Sequence, residues 1–494
     1  MNNQVFGVLV IAFCVFLYWI AWKKQVENKM TIAVVLLLLG GLALRIFTSL
    51  DFYLHPWDER YHALVAKNLM HHPLIPTLYD NPILSYDYKN WIANHVWLHK
   101  QPLALWSIAL SFKIFGVNVI ALRLPAIILS TLGILIVYKI GRMMFSQRVG
   151  FIAAFLFSIH GLIIELSAGR VATDSVDISF LFFIELAVYF ALLFAKTGKV
   201  KFNILTALSV GAAIMSKYLP ALIVLPIWLL FVIQYKQVSL KKSILQFLLL
   251  VSIILVIVLP WQIYIHQAFP QEALWESNYN LRHFTEIIEE QTGGWFYHFS
   301  RMRILFGEII YLPLIWLIYK SIKSKRNLIR WSLLVWILIP VIFFSLAKTK
   351  MQGYILFTAP ALFILTALFW DYLYRFKNLI KYKWLNYIIL ILLIGLPVRY
   401  SFERIKPFDL TSRSPVWAEE LIKLNQIPHS SKSVIFNISR PVETMFYTDF
   451  IAYDFLPDVK EIREIKEKGY DIFIANDSLF LSGEDGVKHI TLKE

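Results

Sequence analysis

The sequence predicts an all-α polytopic membrane protein of about twelve transmembrane helices, followed by a small α/β domain outside the membrane. Three observations carry this. Hydrophobic residues make up 58% of the 494 and charged residues only 16%, whereas soluble domains carry about a quarter charged residues. Apolar runs close to the roughly 20 residues that cross a bilayer recur along the chain. The short loops between alternate runs are basic, the mark of cytoplasmic loops. Because the net charge of +15 is dispersed over such loops, it marks membrane orientation and not a nucleic-acid surface. The single cysteine, Cys14, lies in an apolar run and excludes an intrachain disulfide or a Cys-rich metal site.

In chain order, the first run, "VFGVLVIAFCVFLYWIAW", has its charges after it ("KKQVENK") and not before. That is the reverse of a secretory signal, so it is expected to be a retained span. The spans are placed near 5–22, 31–49, 119–139, 149–167, 175–195, 202–216, 218–234, 243–262, 304–320, 331–347, 352–371 and 383–399. The pair 202–216 and 218–234 is separated only by Lys217. Loops 23–29, 139–148, 196–201, 235–242, 319–326 and 371–383 are short and basic, hence cytoplasmic. The long segments 50–118 and 263–303 and the tail 400–494 then lie outside. "PLALWSIALSFKIF" (102–115) is too short to span and would break this alternation, so it is laid along the outer interface as an amphipathic helix. After Tyr400, "SVIFNI" and "YDIFIAN" have the composition of buried strands, with the helical "DVKEIREIKEKG" between them. The organisation is therefore 1–30, a first span with its cytoplasmic loop; 31–399, the main transmembrane domain with outer loop 50–118; and 400–494, an extracytoplasmic α/β domain.

Basic residues at outer span ends need a reason. Lys100, Arg170, Lys217, Lys348 and Lys350 stand there, with Arg301 and Arg303 nearby. Gathered round one cavity they suit an anionic lipid phosphate; taken singly, each also suits snorkelling to the interface. Asp58 and Glu59 open a helix after "HPW", where the positive dipole end favours carboxylates. Asp174 opens another outer span end, four residues after Arg170. Two carboxylates from separate outer loops suit a general base and its partner, against a helix cap for Asp58 and an Arg170 ion pair for Asp174. Outer histidines are frequent, His62, His99 and His283 among them. Without a ligand spacing such as HExxH, a divalent metal at Asp58 and Asp174 stays an alternative. "GGWFYHF" (293–299) suits either a lid with sugar-stacking aromatics or an interfacial aromatic belt.

In order along the chain, "WDERYHALVAKNLM", "HKQPLALWSIALSFKIFGVNVIALRLPAIILSTLGILIVYKIGRMMF", "GRVATDSVD", "MSKYLPALIVLP", "LPWQIYI" and "LAKTKMQGYILFTAPAL" resemble the bacterial membrane glycosyltransferases of the fold C type. These include the aminoarabinose transferases of lipid A and relatives of the protein O-mannosyltransferases. The resemblance covers roughly residues 31–372. It implies a polyprenyl-phosphate sugar as donor and transfer at the outer face of the bacterial inner membrane to lipid A, a glycan or a protein. It places the catalytic carboxylate on Asp58 and a second acid on Asp174. It gives the donor phosphate to Lys100, Lys348 and Lys350, with Arg170, Lys217 and Tyr354 joining that set. Glu59, His62, His99 and His283 are supporting residues. The sequence departs from the family where Pro-Pro becomes Gln101-Pro102 and where Leu-Pro-His-Tyr becomes Met351-Gln352-Gly353-Tyr354. Gly353 thus replaces a family histidine, and the first span is additional.

The expected chemistry is one inverting displacement, with Asp58 taking the acceptor proton and the lipid phosphate leaving. No nucleotide is required, in keeping with the lack of a Gly-rich phosphate loop. The rivals are a non-catalytic lipid-binding subunit and a transporter. A transporter calls for charged or broken helices near the midplane and an internal repeat, none of which the sequence signals. Glu165 and Glu185 are the nearest intramembrane acids.

Overall fold

The computed structural model describes residues 3–324, 326–377, 382–476 and 486–492. Position 325 and residues 378–381, parts of two basic loops, lie outside the described residues. Eight helices are long and apolar enough to cross a membrane: Asn3–Val26, Met30–Thr48, Val119–Met144, Asp174–Thr197, Leu240–Ala268, Leu328–Leu346, Gln352–Arg375 and Lys383–Ile405. Two helix pairs qualify only when joined across a bend, Gln147–Ser158 with Gly161–Ser167 (53°) and Tyr297–Phe306 with Tyr311–Lys323 (111°). The chain is a multi-span membrane protein, and eight to ten of the roughly twelve expected spans are long and apolar enough among the described residues. The shortfall falls on the pair around Lys217. Val200–Lys217, 18 residues with a lysine near each end, and the shorter apolar helix Leu219–Tyr235 do not qualify; they are parted by Tyr218 at φ 64°, and Pro220 sits in the first turn of the second, where it is tolerated.

The bends correct the expectation that no helix is broken. At the first, Gly161 admits the Lys383–Ile405 helix so closely that a Cβ there would stand 2.7 Å from Arg404 Cβ. This contact brings Arg404 onto Glu165. At the second, Gly307 turns the chain at φ 100°, a conformation glycine adopts without steric cost. Glu185 is fully buried in the bundle.

Two large hydrophobic cores follow from the sequence pattern, beside two smaller clusters. One fills the helical bundle, from Leu37 and Val137 to Phe363 and Tyr400. The other joins the loop 50–118 to the C-terminal segment: Leu64, Leu105 and Phe112 share it with Val434, Phe446 and Ile474. The C-terminal strands are β1 (Ser433–Phe436), β2 (Ile451–Ala452), β3 (Asp471–Ala475) and β4 (Val487–Ile490). They form a parallel sheet in the order β2-β1-β3-β4. β1 is buried throughout and β3 nearly so, as continuous apolar runs in a parallel sheet require.

This sheet layer is fastened to the helix Asp58–Leu69. Lys67 donates to the carbonyls of Met445, Phe446 and Thr448 at 2.8, 3.2 and 2.8 Å. It thereby caps the C-terminal end of the Pro441–Tyr447 helix, where a cation is favoured. Arg60 lies 3.3 Å from the buried Glu443. The helix that carries Asp58 is therefore clamped between bundle and sheet.

Candidate active site

Asp58 is the first residue of its helix, with no side-chain cap from Trp57. It faces a cavity of about 1450 Å³. One part of the wall is polar: Asp58, His99, Lys100, Asp177, Lys217 and Tyr354. The other is apolar, with Leu222, Pro226, Val258, Ile339, Phe343 and Phe357 contributed by positions further inside the helices.

The polar groups form matched pairs. Lys100 Nζ is 3.4 Å from Asp58 Oδ2, which also accepts the Thr173 N–H at 3.1 Å. Asp177 accepts from the Thr173 hydroxyl through Oδ2 and from Lys217 through Oδ1. The Lys217 ammonium lies 5.7 Å from the centre of the Tyr354 ring. His99 stacks on Trp91 with centroids 4.4 Å apart and sets Nδ1 3.3 Å from Glu276. His283 Nδ1 donates to the Tyr279 carbonyl at 3.0 Å.

Burial alone would raise the Asp58 pKa. Lys100 first, then His62, His99 and the Thr173 N–H outweigh it and hold the carboxyl well below the usual carboxylate range. His99 moves downward through burial and Lys100, against the pull of Glu276. His283 moves downward through burial.

Of the residues singled out from sequence, Asp58, Lys100, Lys217, Tyr354, His99 and His283 line the cavity; the others are placed elsewhere. Asp174, 3% exposed, accepts from His62 Nδ1 at 2.7 Å and from the Ser175 N–H. At 3.6 residues per turn, positions 174 and 177 diverge by roughly 60° around the helix. Asp174 therefore meets the neighbouring helix while Asp177 meets the cavity. Arg170 is 2.9 Å from Asp51 and donates to the Ile405 carbonyl, so its ion-pair partner is Asp51 and not Asp174. Lys350 is buried and donates to the carbonyls of Ser345 and Ala347 at the end of the Leu328–Leu346 helix. Lys348 is exposed. Glu59 is 0% exposed and held by Arg123 at 2.6 and 2.9 Å. Among the described residues, no three His, Cys, Asp or Glu side chains converge as a metal ion requires. Asp58 is held by Lys100 and the Thr173 N–H, and Asp174 by His62 and the Ser175 N–H.

Asp177 and Thr173 were missed. Helical spacing signals the first, since the motif "TDSVD" offers two acids and only one can face the cavity. Nothing in the sequence signals the left-handed Thr173. Gly353 gains meaning from the same place, because a Cβ there would stand 3.1 Å from Asp177 Oδ2. A glycine leaves that carboxylate open to the cavity.

Residues 99–264 match the family model described as dolichyl-phosphate-mannose-protein mannosyltransferase. An undecaprenyl phosphate-alpha-4-amino-4-deoxy-L-arabinose arabinosyl transferase of Pseudomonas savastanoi pv. phaseolicola is 26% identical over 361 residues, 69% of this chain and 61% of that relative. The chain spans between 46% and 61% of the length of the first curated relatives it matches. The crystal structure of ArnT from Cupriavidus metallidurans bound to undecaprenyl phosphate superposes with TM-score 0.61 at 16% identity, covering 88% of each chain. The oligosaccharyltransferase AglB of Archaeoglobus fulgidus, in complex with an inhibitory peptide and a dolichol-phosphate, gives TM-score 0.57 at 16% identity over 87% of this chain and 65% of that one. In its family match, its relatives and its fold, the chain is similar to the polyprenyl-phosphate-sugar-dependent membrane glycosyltransferases of the fold C type, the resemblance that its ordered motifs carry.

Proposed function

We propose that the protein transfers a sugar from a polyprenyl-phosphate donor to a lipid, glycan or protein acceptor at the outer face of the bacterial inner membrane. The observation that carries this reading is the two-part cavity. Its apolar wall suits a polyprenyl chain, and its polar wall sets two lysines beside two carboxylates where the phosphate and the anomeric carbon would lie. The placement outside rests on the alternation of basic loops, and the donor class on the likeness to proteins whose names carry undecaprenyl phosphate.

In this reading the acceptor hydroxyl or amine attacks the anomeric carbon from the side of Asp58, which takes its proton. The bond from that carbon to the phosphate oxygen breaks, and its electron pair leaves on the phosphate. Lys100 and Lys217 stabilise the growing charge, and attack opposite the leaving group inverts the centre. Lys100 has two partners to choose between. While it pairs with Asp58, that carboxylate is a weak base; once the donor phosphate draws the ammonium away, Asp58 becomes more basic. Base strength thus rises with donor occupancy.

This sets a pH dependence. With its pKa depressed in the free protein, Asp58 stays ionised down to below about pH 4, the ordinary aspartate range. The acid limb of kcat/KM should therefore lie below that point. The acid limb of kcat, which reports the donor-bound state, should lie higher. Lys100→Met should move the kcat/KM limb upward, because the largest influence favouring the ionised form is gone. A limb that stays in place in that variant would separate Asp58 from the titration.

The function itself is tested with the full chain in phospholipid vesicles and an envelope extract as acceptor source. Undecaprenyl phosphate-linked 4-amino-4-deoxy-L-arabinose and undecaprenyl phosphate-linked hexoses are offered in turn. Release of undecaprenyl phosphate from one of them is the expected result, and no release from any overturns the reading. A transporter gains little from the broken helices, because Glu185 and Glu165 stand outside the cavity wall.

A further inference from the structure

Thr173 immediately precedes the Asp174–Thr197 helix, and its backbone is left-handed, φ 65° and ψ −3°. For a β-branched residue this is an outlier, and such conformations persist only where the surroundings over-determine them. The surroundings here are two acids of the cavity. The Thr173 N–H donates to Asp58 Oδ2 at 3.1 Å, and its hydroxyl donates to Asp177 Oδ2. Asp58 is also held by Lys100, and Asp177 by Lys217. An unbroken chain of contacts thus crosses the polar wall, Lys100–Asp58–Thr173–Asp177–Lys217, with Thr173 as its centre.

We propose that Thr173 is a positioning residue for the transfer reaction, its left-handed backbone held so that one residue fixes the Asp58 and Asp177 carboxylates relative to each other. The inference rests on the reading of Asp58 as base. The two acids come from elements more than a hundred residues apart, and a base must be held within about 0.5 Å of its productive place. Glycine would adopt this backbone without strain but has no hydroxyl for Asp177. Valine has the shape but nothing to hold the left-handed turn. Threonine accepts the strain and makes both links. The other groups that face Asp58 are Lys100, His62 and His99; none of them reaches Asp177 as well.

Three substitutions separate the links. Thr173→Val removes the hydroxyl and lets the backbone relax, so both links go. Thr173→Gly keeps the turn and loses only the Asp177 link, and Thr173→Ser keeps both. The first measurement is an infrared carboxylate titration of Asp58, taken as the difference between each protein and its Asp58→Asn counterpart. Losing a donor to the ionised form raises a carboxylate pKa. The Asp58 midpoint should therefore rise in Thr173→Val and stay near wild type in the other two. The second is release of undecaprenyl phosphate from the donor that wild type accepts. It should slow about tenfold or more in the Val and Gly variants at unchanged half-saturating donor, and stay within about threefold in Ser. An unchanged Asp58 midpoint in Thr173→Val overturns the positioning role whatever the activity. If that variant does not fold, equal release rates in Gly and wild type overturn it. A wild type that releases nothing overturns the enzyme reading instead, and the titration still decides whether Thr173 sets Asp58.

Discussion

Asp58→Asn should slow release of undecaprenyl phosphate by about 10²- to 10⁴-fold, the range a general base contributes, while the protein binds undecaprenyl phosphate at least as well as before. The substitution keeps the shape of the side chain and an oxygen for the Thr173 N–H, which now donates to Asp58 Oδ2. It removes the charge that occupies Lys100 at 3.4 Å. An ammonium released from its carboxylate is a better phosphate ligand, so affinity for undecaprenyl phosphate should hold or rise as turnover collapses. That opposite movement is what distinguishes a base from a structural acid. Loss of a structural acid would lower folding, binding and turnover together. Vesicle binding of undecaprenyl phosphate and its release from the donor are measured on the same preparation. Turnover within a few-fold of wild type would remove Asp58 from the chemistry, and weakened binding with misfolding would make it a structural residue.

Much of this arrangement was legible before the fold was known. Apolar run length and loop charge placed most spans, because the bilayer imposes one dimension and one charge asymmetry on every segment. The helix opened by Asp58 was equally visible from its acidic start and apolar stripe. What stayed hidden depended on contacts between distant segments. Glu59 and Asp58 are neighbours in sequence, yet one faces Arg123 in the core and the other the cavity, a difference of one helical step. Arg170 looked free to hold a phosphate until the fold brought Asp51 to it. Lys350 was expected in the cavity, but the frayed carbonyls of a helix end claim its ammonium. The C-terminal strands were recognisable from their apolar runs, but their shared core with Leu64 and Phe112 is a tertiary fact. The bend at Gly161 belongs to the same class, since it is set by the approach of another helix.

Arg123→Met should be the most destabilising of the substitutions considered, by about 3–5 kcal/mol, the cost of leaving a buried ion-pair partner alone. The guanidinium meets both oxygens of Glu59, at 2.6 and 2.9 Å. It also donates to the carbonyls of Ser49, Asp51 and Tyr53. One side chain thus ties the end of the Met30–Thr48 helix, the chain that leaves it and the start of the Asp58 helix to the Val119–Met144 span. Glu59 has little room to adjust, because Gly169 packs so closely that a Cβ there would stand 1.9 Å from its Oε1. With the arginine gone, the carboxylate keeps, among the described residues, only the His55 N–H at 2.8 Å, far short of what a charge at 0% exposure needs. Lysine cannot substitute, since a single ammonium has no fork to span both oxygens and three carbonyls. The test is a double-mutant cycle in detergent, with thermal unfolding followed for Arg123→Met, Glu59→Gln and the pair. The double variant should recover part of the loss, because the unpaired charge and not the missing contact dominates it. Strictly additive losses, or a single-variant cost below about 1 kcal/mol, would mean that the pair lies within reach of water and does not anchor the helix that presents Asp58.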